Sequence, residues 1–167
     1  QHIFEHAELK CALVSDKCLY DTIQLAAETI GIKDRVYSFT QVDGVENWNS
    51  ILELGKKNEE NYKEKLEHIK KSIQPDDFST LIYTSGTTGA SKGVMLSHKN
   101  LVQNFLAAAG VFKLTPEDKY LSILPLCHVG GRLGNYQTQY SGASIYYAES
   151  MGTIAKNMKE IRPSGFD

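Results

Sequence analysis

"YTSGTTGASKG", residues 83–93, is the stretch whose reading decides the fold. It packs five hydroxyl residues besides its tyrosine, three glycines and one lysine into a single short loop. The preceding apolar run "FSTLIYT" (78–84) reads as a strand, and so does "VMLS" (94–97) after it. Gly86, Gly89 and Gly93 permit positive φ and let backbone N–H groups approach an anion with no Cβ in the way. Thr84, Ser85, Thr87 and Thr88 add hydroxyl donors, and Lys92 adds a mobile positive charge. Charge-assisted hydrogen bonds contribute about 1.5–3 kcal/mol each. A handful of them can hold a triphosphate tail, which favours a polyphosphate site over a bare turn.

The commonest phosphate loop has the pattern G-x-x-x-x-G-K-[ST] and opens directly into a helix. Here Ala90 and Ser91 separate Gly89 from Lys92, Gly93 occupies the Ser/Thr position, and strand-type residues follow. Both spacing and context fail to match a Walker loop. A serine-hydrolase reading fails as well: the string around Ser85 is T-S-G-T, with no G-x-S-x-G elbow.

Outward from the loop, strand and helix patterns alternate. "CALVSD" (11–16), a helical pattern ending at Gly31, and "RVYSFT" (35–40) form a strand–helix–strand unit. Residues 48–72 read as a charged, solvated helix in which Glu59–Lys63 and Glu67–Lys71 have the favourable four-residue spacing. Beyond the loop, Ser97 offers an N-cap to a helix with Leu101, Phe105, Ala108 and Phe112 on one face. Strands at 119–124 and 143–148 flank a further helix, and 151–161 is helical. The fold class is α/β, a layered βαβ sheet with helices on its faces.

Composition narrows the function. A net charge of −2 provides no basic field, so nucleic acid is not an expected partner. Cys11, Cys18 and Cys127 are odd in number and lack C-x-x-C spacing, which argues against a disulfide scaffold or a zinc site and for a cytoplasmic setting. No apolar run approaches the roughly 20 residues that span a bilayer. Peripheral membrane contact stays open.

At these residues a family resemblance enters. "YTSGTTGASKGVMLSHKNL" (83–101) resembles the signature loop of the adenylate-forming enzymes: acyl-CoA synthetases, luciferases and peptide-synthetase adenylation domains. Ser91 stands where that family usually has proline. "YLSILPLCHVGGR" (120–132) is similar to the family's next motif. "GASIYYAES" (142–150) with "KEIRPSGF" (159–166) is most like the bacterial long-chain fatty-acid–CoA ligase branch.

The resemblance implies a reaction. ATP and a fatty acid give acyl-adenylate and pyrophosphate; coenzyme A then displaces AMP. Thr84, Ser85, Gly86, Thr87, Thr88, Gly89 and Lys92 match the ATP phosphate-binding positions. Thr84 and Lys92 match catalytic ones, and Thr84 also matches a position that helps hold Mg²⁺. His128 matches a residue beside the acyl carboxylate. Gly130 and Gly131 stand where bulkier residues are usual, which bears on acyl-chain length. Arg132 agrees with the branch without a derivable role, and His98 reads as a residue of its helix's first turn.

The resemblance further implies that residues 1–167 are an incomplete N-terminal AMP-binding domain without the C-terminal lid. The family's adenine, ribose, hinge and adenylation-lysine motifs are not in this sequence. The expected partners are small molecules (ATP, fatty acid and coenzyme A). The chain by itself is expected to be inactive and to self-associate through uncovered strand edges. An aryl-CoA ligase, a peptide-synthetase domain and a non-catalytic phosphate-binding module remain alternatives.

Overall fold

The computed structural model describes residues 1–85 and 91–167, which fall into two compact units. One comprises Gln1–Ile73 with Ser85–Lys92, the other Gln74–Thr84 with Gly93–Asp167.

The first unit opens with a short helix, α1 (His2–His6), and strand β1 (Ala12–Val14). Asp16 then starts α2 (Lys17–Thr29) by accepting the Leu19 N–H at 3.1 Å, which satisfies one of the helix's orphan donors. Gly31 ends it at φ +73°, a left-handed turn in which Ile32 N–H reaches back to Ala27 O. β2 (Val36–Ser38) returns parallel to β1, so the expected strand–helix–strand unit is present. A third strand, β3 (Glu46–Asn47), adds in parallel to β2. Val14, Ala27, Ile32 and Val36 are buried together, with Tyr20 and Ile23 packed against them.

The charged stretch forms α3 (Asn49–Ser72), none of whose residues is buried. Its ion pairs differ from the expected ones. Glu53–Lys56, Glu60–Lys63 and Glu67–Lys70 pair at three-residue spacing. Positions three and four apart lie equally near on a helix surface, so exposed side chains can choose either partner.

In the second unit, β4 (Phe78–Thr84) and β5 (Lys92–Ser97) form a two-stranded sheet. Ser97 caps α4 (His98–Val111) in a reciprocal box with Asn100, whose side chain accepts the Ser97 N–H at 3.0 Å. Leu101, Phe105 and Ala108 are half-buried, and Phe105 lies against the rings of Tyr136 and Tyr140 on the next helix. That helix, α5 (Val129–Ser141), connects β6 (Lys119–Ser122) to β7 (Ser144–Tyr147). After a 3₁₀ turn, α6 (Ile154–Ile161) leads to β8 (Gly165–Phe166). β7 and β8 flank β6, both in parallel, and Leu121 at the centre of β6 is fully buried. Parallel strands joined through helices are the architecture of α/β sheets.

Candidate active site

Two features carry the residues singled out from the sequence. The first is the β4–β5 pair. β4 ends in Thr84, followed by Ser85, and β5 begins with Lys92; all three are exposed. Gly86, Thr87, Thr88 and Gly89 lie outside the described residues. Gly93 differs from expectation in its reason for being glycine. Its φ is not positive. A Cβ there would stand 2.9 Å from Leu81 Cδ1 and 3.4 Å from Tyr83 Cζ, so a side chain at this position would make the Leu81 side chain on β4 shift.

The second feature is the turn from β6 into α5. Pro125 has no N–H to continue the ladder, and His128 N–H closes the turn on Pro125 O at 2.9 Å. His128 is the N-cap of α5: its Nδ1 accepts the Gly130 N–H at 3.2 Å, and the ring is otherwise exposed. An acceptor Nδ1 leaves the ring hydrogen on Nε2, where it can be donated outward to a carboxylate. Gly131 is sterically fixed. A Cβ there would meet Leu124 O at 2.8 Å and Pro125 O at 3.1 Å. Gly130 is looser, with His128 Nδ1 at 3.3 Å from the corresponding Cβ position.

Gly130 also borders two cavities. One of about 320 Å³ lies among Phe112, Leu114, Tyr120, Gly134 and Phe166; another of about 210 Å³ lies among Leu96, Leu101, Leu133 and Tyr136. Gly134 lines the first and lets Tyr120 close in, because a Cβ there would overlap the Tyr120 hydroxyl. Burial, then the negative charge of Asp167, push the Tyr120 phenol up to about 12.

Arg132, one turn beyond His128, donates from Nη1 to Thr80 Oγ1 at 2.8 Å. That bond ties the helix carrying the His128 cap to β4. Its long reach in sequence left no local signal for it. Cys127 is exposed and a free thiol, like Cys11 and Cys18. His98 sits in the first turn of α4, as expected.

No group of three or more His, Cys, Asp or Glu that could hold a metal occurs among the described residues. Thr84 supplies a neutral hydroxyl. That suits Mg²⁺, which keeps waters and takes most of its remaining ligands from substrate phosphates. No helix among the described residues is long and apolar enough to cross a membrane.

Residues 1–166 match the AMP-binding enzyme family, and the chain belongs to it. It is 30% identical to the peroxisomal long chain acyl-CoA synthetase 6 of Arabidopsis thaliana over 99% of its length, covering 23% of that protein. It is 29% identical to the long-chain-fatty-acid–CoA ligase ACSBG2 of Homo sapiens, again over 99% of the chain and 26% of the relative. The chain thus spans about a quarter of the length of these relatives. Among solved structures, ATP-bound MatB from Rhodopseudomonas palustris shares the fold at a TM-score of 0.68 and 23% identity, over 99% of the chain and 30% of MatB. The o-succinylbenzoate CoA synthetase of Bacillus subtilis in complex with AMP aligns over 56% of the chain and 20% of its own at a TM-score of 0.50 and 26% identity.

Proposed function

We propose that the chain is part of the N-terminal domain of a fatty-acid–CoA ligase that forms an acyl-adenylate from ATP and releases pyrophosphate, then yields acyl-CoA and AMP. The supporting observation is the relatedness to long-chain acyl-CoA synthetases along nearly the whole chain, with the glycine- and hydroxyl-rich segment between two paired strands.

When the carboxylate attacks the α-phosphorus, charge builds on the departing β,γ-phosphates. Donors preorganised around that charge lower the barrier without taking part in proton transfer. Lys92, the hydroxyls of Thr84, Ser85, Thr87 and Thr88 and the N–H groups of Gly86 and Gly89 are the donors that the family resemblance assigns to this task. Mg²⁺, held partly by Thr84, neutralises phosphate charge when bound. His128 Nε2–H orients the acid's carboxylate, and the cavities bordered by Gly130 receive its apolar chain. Coenzyme A is the third substrate, and the reaction takes place in the cytoplasm.

ATP–pyrophosphate exchange by the complete protein across fatty, aromatic and amino acids tests the reading. Exchange confined to fatty acids is the expected result. Exchange driven by aromatic or amino acids would identify an aryl-CoA ligase or a peptide-synthetase domain instead, and a complete protein without any exchange would be a phosphate-binding module.

A further inference from the structure

The turn that carries His128 is held at both ends by side chains that no motif pointed to. At its entry, the Asp167 carboxylate, directly after β8, accepts the backbone N–H of Ile123 and that of Leu124 (2.8 Å) on one oxygen. Its other oxygen stands 3.5 Å from Ser122 Oγ, at the outer limit of a hydrogen bond. At its exit, Asn135 on α5 donates from Nδ2 to Gly131 O and to Ser122 Oγ, each at 2.8 Å. The Asn135 carbonyl accepts the Tyr147 O–H at 2.8 Å. Both amide hydrogens and the carbonyl are therefore engaged. Asn135 and Ser122 are each 4% exposed. A satisfied buried network of this kind has one arrangement, since moving any member strands a polar atom away from water.

Four elements, β6, α5, β7 and β8, thus converge on one short turn. Packing reinforces it, with Gly131 seated directly on the Leu124 and Pro125 carbonyls. We propose that Asp167 and Asn135 are positioning residues, which set where the His128 imidazole stands and so how the acid's carboxylate is presented to ATP. This rests on the reading of His128 as an acyl-site residue.

A network serving stability alone would leave substrate discrimination unchanged, and two measurements separate the roles. In the isotope-labelled complete protein, scalar couplings across the hydrogen bonds should link the Ile123 and Leu124 nitrogens to the Asp167 side-chain carbon. The His128 nitrogen shifts should report an unprotonated Nδ1. Asp167→Ala should abolish the couplings and the single His128 signature, and Asp167→Asn, which keeps an acceptor, should restore them. Missing couplings in the unaltered complete protein overturn the clamp without any variant having to fold.

In the complete protein, Asp167→Ala should raise KM for the carboxylic acid about tenfold, with kcat and KM for ATP within about twofold, and Asp167→Asn should recover most of the loss. An equal change for both substrates, or none, overturns the positioning role. Failure of the unaltered protein to activate any acid would instead refute the ligase reading, while the couplings would still decide whether the clamp exists.

Discussion

His128 caps its own helix by accepting the Gly130 N–H at 3.2 Å on Nδ1. The imidazole therefore has a structural task on one nitrogen and an outward-facing donor on the other. His128→Ala removes both and should cost about 1 kcal/mol of stability, the usual loss for a missing N-cap. His128→Asn keeps a good cap but replaces the outward Nε2–H by an amide N–H that stands one atom shorter and does not reach the same point. In the complete protein it should retain stability by thermal unfolding while kcat/KM for the acid falls about tenfold. Full activity in the Asn variant would reduce His128 to a cap.

The neighbouring glycines should behave oppositely. A methyl at Gly131 meets backbone oxygens that cannot yield, so Gly131→Ala should destabilise the fold by about 1–3 kcal/mol. At Gly130 the nearest contact is the end of the His128 side chain at 3.3 Å. There the gain in helix propensity, up to about 1 kcal/mol, should leave Gly130→Ala neutral or stabilising in denaturant titrations. Equal losses at both positions would mean that the close approach of α5 to Leu124 does not limit packing.

Tyr120 gives a pH signature. Its phenol is pushed from 10.0 up to about 12, first by burial and then by Asp167, so the folded state holds the proton more tightly than the unfolded one. The stability this confers is whole below pH 10 and declines as pH rises from 10 towards about 12. Tyrosinate absorbance should show one of the nine tyrosines ionising late. Tyr120→Phe should remove that step and flatten the alkaline loss of stability. A titration in which no tyrosine ionises late would contradict the burial of this ring.

Much of the fold was legible where the chemistry is local. The span of β4, the stop of α2 at Gly31 and the Ser97 cap each depend on residues within a few positions. β3 and β8, at two residues each, are too short for any periodicity and form only because a neighbouring strand offers a ladder. The same limit hid the supports of the candidate site. Asp167 reaches Leu124 across 43 positions and Arg132 reaches Thr80 across 52, distances at which no local pattern exists. The loop's role was read from residue types and family resemblance, and its centre, residues 86–90, lies outside the described structure.

The central claim is that the segment from Thr84 to Lys92 serves the departing pyrophosphate and nothing later in the reaction. Single-turnover kinetics of the complete protein with Lys92→Met test it most directly. Adenylate formation from ATP and a fatty acid should slow about 100-fold, as for loss of one preorganised donor to developing charge. Thioester formation from acyl-adenylate supplied ready-made should keep its rate. Equal slowing of both steps, or an unchanged first step, would contradict it.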